Sequence, residues 1–157
     1  MKPKILLLDD DEAIRQMLGR VLMQEGYLVI PAATGQRALE LAAATKFDLA
    51  LLDLNLPGQN GWDVFERLTA EEPLLPVVII TARANQLFVA LGAGAGALME
   101  KPLDPPRLLQ IIRELLDEPA EMRLARVAGK RAEFHYLPPN SWVDAESRRG
   151  IGEHSDR

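Results

Sequence analysis

The chain has 157 residues, 48% of them hydrophobic and 26% charged, with a formal net charge of −5 and no cysteine. That length suits one domain with a core of its own, and the lack of cysteine excludes a disulfide framework, a thiolate nucleophile and a zinc–thiolate site. The charge is uneven: residues 1–118 carry 11 Lys/Arg against 17 Asp/Glu, net −6, while residues 119–157 carry 7 against 6, and an acidic body argues against nonspecific nucleic-acid binding.

Apolar runs and helix-periodic segments alternate along the chain. Residues 4–8 read as a buried strand. Residues 12–25 read as a helix with Ile14, Met17, Leu18, Val21 and Leu22 on one face, stopped by Gly26. Residues 27–31 form a second strand, and Thr34 caps a helix running to about 45. Residues 48–53 are the third strand and 61–70 the third helix. Residues 76–80 are the fourth strand, followed by a short helix over 84–91. Residues 95–100 are the fifth strand and 103–116 the fifth helix. Gly92, Gly94 and Gly96 follow a helix and precede a strand, so they read as a helix stop and turn, not a phosphate loop. Beyond Pro119 a helix is possible over 120–134, and from Leu137 onward the polar, aperiodic chain reads as disorder.

The strands are continuous apolar runs, the pattern of a parallel sheet buried on both faces. Five β/α units with short connections predict a doubly wound α/β sheet with helices on both faces. Four strand ends carry polar groups. Asp9 and Asp10 follow the first strand, Asp53 ends the third, Thr81 follows the fourth and Lys101 the fifth. Taken singly, each could be a helix cap, a turn residue or a solvated charge. Together they converge on one edge of an open α/β sheet, where ligands of such sheets bind.

This set, an acidic pair, an Asp before a Pro/Gly turn, a hydroxyl residue and a Lys-Pro, each after its own strand, resembles the receiver domain of two-component response regulators, the CheY-like family. The resemblance covers about residues 2–118; residues 119–157 match no recognised output domain and read as a partly helical or disordered extension. It implies a flavodoxin-like, five-stranded sheet of order 2-1-3-4-5. It implies that Asp53 is the phosphoacceptor, ionised at neutral pH and needing no base. It also implies Mg²⁺ bound by Asp10 and Asp53, by the backbone carbonyl of Asn55, and by Asp9 through water. Oxygen ligands suit such an ion, since both histidines, His135 and His154, lie beyond residue 118. Three clustered carboxylates would raise at least one pKa unless a cation sits among them. Lys101 and Thr81 would contact the phosphoryl group, Pro102 would make a cis peptide with Lys101, and Asn55 and Arg83 lie where the family tunes hydrolysis.

Three departures from the family stand out. Leu98 occupies a position that receivers often give to Tyr or Phe, and could move inward as Thr81 shifts. The stretch from Thr81 to Lys101 is about two residues short, which predicts a trimmed fourth helix. No helix-turn-helix pattern follows; a docking segment using Phe134, Tyr136 and Trp142 is the alternative to a solvated tail.

The expectation is a cytoplasmic, bacterial, single-domain response regulator, not an enzyme beyond its own aspartyl phosphorylation and dephosphorylation. It would take a phosphoryl group from a sensor histidine kinase or histidine phosphotransfer protein and act on an unknown protein target, without binding nucleic acid or membrane. No signal-peptide pattern and no apolar run of membrane-spanning length is present. Two other readings compete: a haloacid-dehalogenase-type phosphatase with Asp9 as nucleophile, and a non-phosphorylated pseudo-receiver.

Overall fold

The structure, a computed structural model, describes residues 2–129 and 134–139, with Phe88 lacking a described side chain. The main sheet contains six strands in the order β2-β1-β3-β6-β7-β8. They are β1 (Lys4–Leu8), β2 (Leu28–Ala32), β3 (Leu49–Asp53), β6 (Val77–Thr81), β7 (Ala97–Glu100) and β8 (His135–Leu137), and every pairing is parallel. A two-stranded antiparallel ladder, β4 (Asn55–Leu56) with β5 (Gln59–Asn60), forms the turn after β3. The first five long strands therefore lie in the expected order 2-1-3-4-5, with one more strand beyond them.

Alternate residues of each strand serve different layers. Leu6, Leu8, Ala50, Leu52 and Ile79 pack with Ala38, Val64, Phe65, Leu68 and Ala90 from α2 (Gly35–Ala44), α3 (Gly61–Glu71) and α4 (Leu87–Ala93). Ile5, Leu7, Leu51, Val78 and Met99 pack on the other face with Leu18, Leu22, Leu108, Ile112 and Leu115 from α1 (Glu12–Gln24) and α5 (Pro105–Asp117). Both faces are covered, which is why the strands are apolar throughout.

Local chemistry sets the helix ends. Asp11 caps α1, accepting from the N–H groups of Ala13 and Ile14, and Thr34 caps α2 through Arg37 N–H. Asn60 caps α3 through Trp62 N–H. Gly61 cannot be replaced without movement: a Cβ there would lie 2.5 Å from Leu54 Cα, so the turn after Asp53 needs the bare backbone.

The fourth helix is short, as expected, but starts at Leu87, three residues later than the periodicity predicts. Thr81 Oγ1 accepts the Arg83 N–H, and Asn85 sits at φ 67°, a left-handed conformation that a helix cannot include. Leu98 is fully buried and flanked in the ladder by Ile79 and Tyr136.

The region after residue 118 also differs from the sequence reading. A helix, α6 (Ala120–Val127), ends well before residue 134, and Gly129 follows at φ 73°. Arg123 donates to the Leu115 and Leu116 carbonyls at the end of α5, and Arg126 pairs with Glu118. The stretch around Leu137 joins the sheet: His135, Tyr136 and Leu137 pair with Ala97, Leu98 and Met99. Leu137 is buried beside the α5 leucines, and Phe134 packs on the other face. Phe134 and Tyr136 thus dock within the chain, whereas Trp142 lies outside the described residues.

Candidate functional site

The parallel ladders bring the polar strand ends to one edge. β1 and β3 are neighbours whose connections leave in opposite directions along the sheet, and a crevice opens at such a switch point. Asp53 is the last residue of β3 and Thr81 the last of β6; Asp9 and Lys101 directly follow β1 and β7. Asp9, Asp53 and Thr81 are fully buried, and Asp10 is exposed.

Carboxylate oxygens from Asp9, Asp10 and Asp53 all lie within 4.8 Å of one another. Lys101 Nζ stands 3.1 Å from Asp9 Oδ2 and 3.4 Å from Asp53 Oδ2, and only the second contact has hydrogen-bond geometry. Backbone N–H groups hold the other oxygens: Asn55 N donates to Asp53 Oδ1 and Asp11 N to Asp9 Oδ1, each at 2.9 Å. Asp9 Oδ2 is buried, and its one close partner among the described residues is the Lys101 ammonium, which it shares with Asp53. One shared cation leaves three clustered carboxylates under-compensated. A hard divalent cation among them would satisfy them, so the residues present fit Mg²⁺.

Burial pushes the Asp53 carboxyl up to about 7; the Asn55 N–H pulls it down, the Asp9 charge pushes it further up and Lys101 opposes. Burial therefore works against the charged form of Asp53 until a cation joins the cluster. Burial by itself would lower the Lys101 pKa, but the Asp53 and Asp9 carboxylates outweigh it and hold the ammonium above the usual lysine value. Lys101 stays charged beside the acids.

Each predicted position is accounted for. Asp9, Asp10, Asp53 and Lys101 converge, and the Lys101–Pro102 peptide is cis. Thr81 lies at the same strand edge, its Oγ1 accepting from Arg83 N–H, which leaves the hydroxyl proton available to another acceptor. Asn55 touches Asp53 through its N–H. Sequence reasoning missed Arg15, whose Nη1 donates to the Asp9 carbonyl oxygen at 2.6 Å. It also missed the bond from Trp62 Nε1 to Gln86 Oε1, 3.1 Å, which ties α3 to the loop after Thr81. An arginine one turn into a helix looks like surface until its reach back over the cap is considered.

Residues 5–113 match the response regulator receiver domain family, and the chain belongs to that family, the receiver domain of two-component response regulators. Among curated relatives, the DNA-binding response regulator MtrA of Mycolicibacterium smegmatis is 40% identical over 128 residues, covering 78% of this chain and 56% of the relative. MtrA of Mycobacterium tuberculosis matches with the same identity and coverage. The chain thus spans about half the length of these relatives. Among solved structures, a CheY-like receiver domain protein from Methanospirillum hungatei superposes with a TM-score of 0.73 at 36% identity, covering 77% of this chain and 98% of that one. The Thermotoga maritima response regulator TrrA, solved in complex with Mg²⁺ and BeF, gives 0.67 at 27% identity, covering 73% and 99%.

Proposed function

We propose that the protein takes a phosphoryl group onto Asp53 in a Mg²⁺-dependent reaction and signals through a change in protein–protein affinity. The observation that carries this reading is the buried Asp53 carboxylate, 3.4 Å from Lys101 and clustered with two further carboxylates. The donor is a phosphohistidine on a sensor kinase or phosphotransfer protein. An Asp53 oxygen attacks phosphorus as the P–N bond breaks; the acyl phosphate forms, and the leaving imidazole takes up a proton. Such transfers depend on positioning and on neutralising the transferred oxygens. Asp9, Asp10 and Asp53, with the Asn55 carbonyl, would hold Mg²⁺, which when bound would supply positive charge to those oxygens. Lys101 supplies a second cation, and Thr81 a hydroxyl donor once it approaches. The BeF complex of the TrrA relative supports this use of the site.

The chain acts on itself and is not a turnover enzyme. Its output is carried by protein contact in the cytoplasm, a reading supported by the acidic balance of residues 1–118. No described helix is long and apolar enough to cross a membrane. The MtrA relatives are named as DNA-binding, so DNA binding is the outcome to test against. Intact-mass analysis after acetyl phosphate and Mg²⁺ should show one added phosphoryl group, lost in chelator and in Asp53→Asn. Labelling that persists in Asp53→Asn and requires Asp9 would favour the phosphatase chemistry instead.

A further inference from the structure

We infer that Arg15 is a positioning residue for the acidic pair, holding Asp9 and Asp10 in the arrangement that a divalent cation requires. The inference rests on reading the carboxylate cluster as a Mg²⁺ site. Arg15 is the fourth residue of α1, and its Nη1 reaches back to the Asp9 carbonyl oxygen at 2.6 Å. The β1 ladder ends at Leu8, so that carbonyl lies past the last paired residue of the strand. A guanidinium donor makes a short, charge-assisted bond there.

Other contacts complete the grip. Asp9 N–H donates to the Ala32 carbonyl at 3.2 Å, and Asp9 Oδ1 accepts from Asp11 N–H at 2.9 Å. With both backbone groups and one carboxylate oxygen tied, Oδ2 is the atom that faces the crevice, where it meets Lys101 Nζ at 3.1 Å. The carbonyl that Arg15 holds belongs to the peptide joining Asp9 to Asp10. Its direction fixes the plane of that peptide, and so the point from which the Asp10 side chain leaves the backbone. Asp10 is exposed, so packing does little to place it. Arg15 therefore governs two members of the cluster through one bond, as residues behind metal ligands do.

Charge and position predict opposite signs. Removing a cation near a cation site should, by Coulomb's law alone, tighten Mg²⁺ binding. Losing the hold on the Asp9–Asp10 peptide should weaken it. We expect Arg15→Ala to raise the Mg²⁺ dissociation constant, measured by calorimetry with Mg²⁺ alone, by about ten-fold or more. The thermal midpoint in EDTA should change little, and the amide resonances of Asp10 and Asp11 should shift in the metal-free protein. Arg15→Gln, a neutral donor, should recover part of the affinity, and it serves as the test variant if Arg15→Ala does not fold. Unchanged or tighter Mg²⁺ binding in both variants overturns the inference. So does a loss of affinity matched by unfolding in EDTA. A wild-type chain that binds no Mg²⁺ overturns the metal-site reading itself, a result distinct from wild-type binding that ignores Arg15.

Discussion

At the ends of β1 and β3, two buried carboxylates, an exposed third and a lysine crowd into one crevice. At the far edge of the same sheet, β8 rests on β7 through three ladder positions, one buried leucine and a hydroxyl bond from Tyr136 to Glu100. The crevice holds like charges together at a cost in stability that a cation or a proton must offset. Among the described residues the edge carries no cluster of three acids, and it adds apolar burial instead. Chemistry and stability are therefore served by different ends of the fold, and each can be perturbed without the other.

Asp53→Asn should separate them most sharply. It should abolish phosphoryl labelling yet stabilise the metal-free protein above neutral pH. The sign follows from the raised pKa. The folded-state value is about 7, against about 3.9 for an unfolded aspartate, so between these values the folded chain binds more protons. Wild-type stability should fall as pH rises from about 4 through 7, by on the order of 2–4 kcal/mol, and then level off. Denaturation in EDTA across that range should show this slope in wild type and a flatter profile in the variant. An equal slope in both would show that Asp53 is not the group being titrated.

The same proton competes with the metal. Mg²⁺ affinity should rise up to about ten-fold per pH unit below 7 and flatten above it, since the ligand must be deprotonated. Calorimetric titrations from pH 5.5 to 8.5 check this, and a pH-independent affinity would place the ion away from Asp53.

Two edge variants probe the other side. Leu137→Ala removes a leucine that is 3% exposed, and should cost about 2 kcal/mol, the lower end for a buried leucine because the strand is short and at the edge. Labelling of Asp53 should persist. Tyr136→Phe removes only the 2.8 Å bond to Glu100, on a side chain that is 39% exposed, and should cost under about 1 kcal/mol. If either variant changed Mg²⁺ affinity, the two regions would be coupled through β7, which runs from the β8 ladder to Lys101.

The same contrast explains what could be read in advance. Asp9, Asp53, Thr81 and Lys101 were legible because each ends an apolar run, and parallel pairing must bring such ends together. Thr34, Asp11 and Gly26 marked helix ends through local chemistry. Leu137 was not legible: three residues have no measurable period, and their burial comes from β7 and α5, which lie far back in the sequence. The start of α4 was missed because Asn85, an ordinary polar residue in the sequence, takes a left-handed backbone. The full burial of Leu98 was not legible either, since it depends on β6 and β8 on either side. Arg15 carried a faint signal, its position one turn past a cap that follows the acidic pair.

The measurement closest to the central claim is chemical trapping of the acyl phosphate. Treatment with acetyl phosphate and Mg²⁺, followed by borohydride reduction, converts a phosphorylated aspartate to homoserine that peptide sequencing can place. Homoserine at position 53, absent when Mg²⁺ is chelated, is the predicted result. Homoserine at position 9 or 10, or trapping that is undiminished in chelator, would contradict the account.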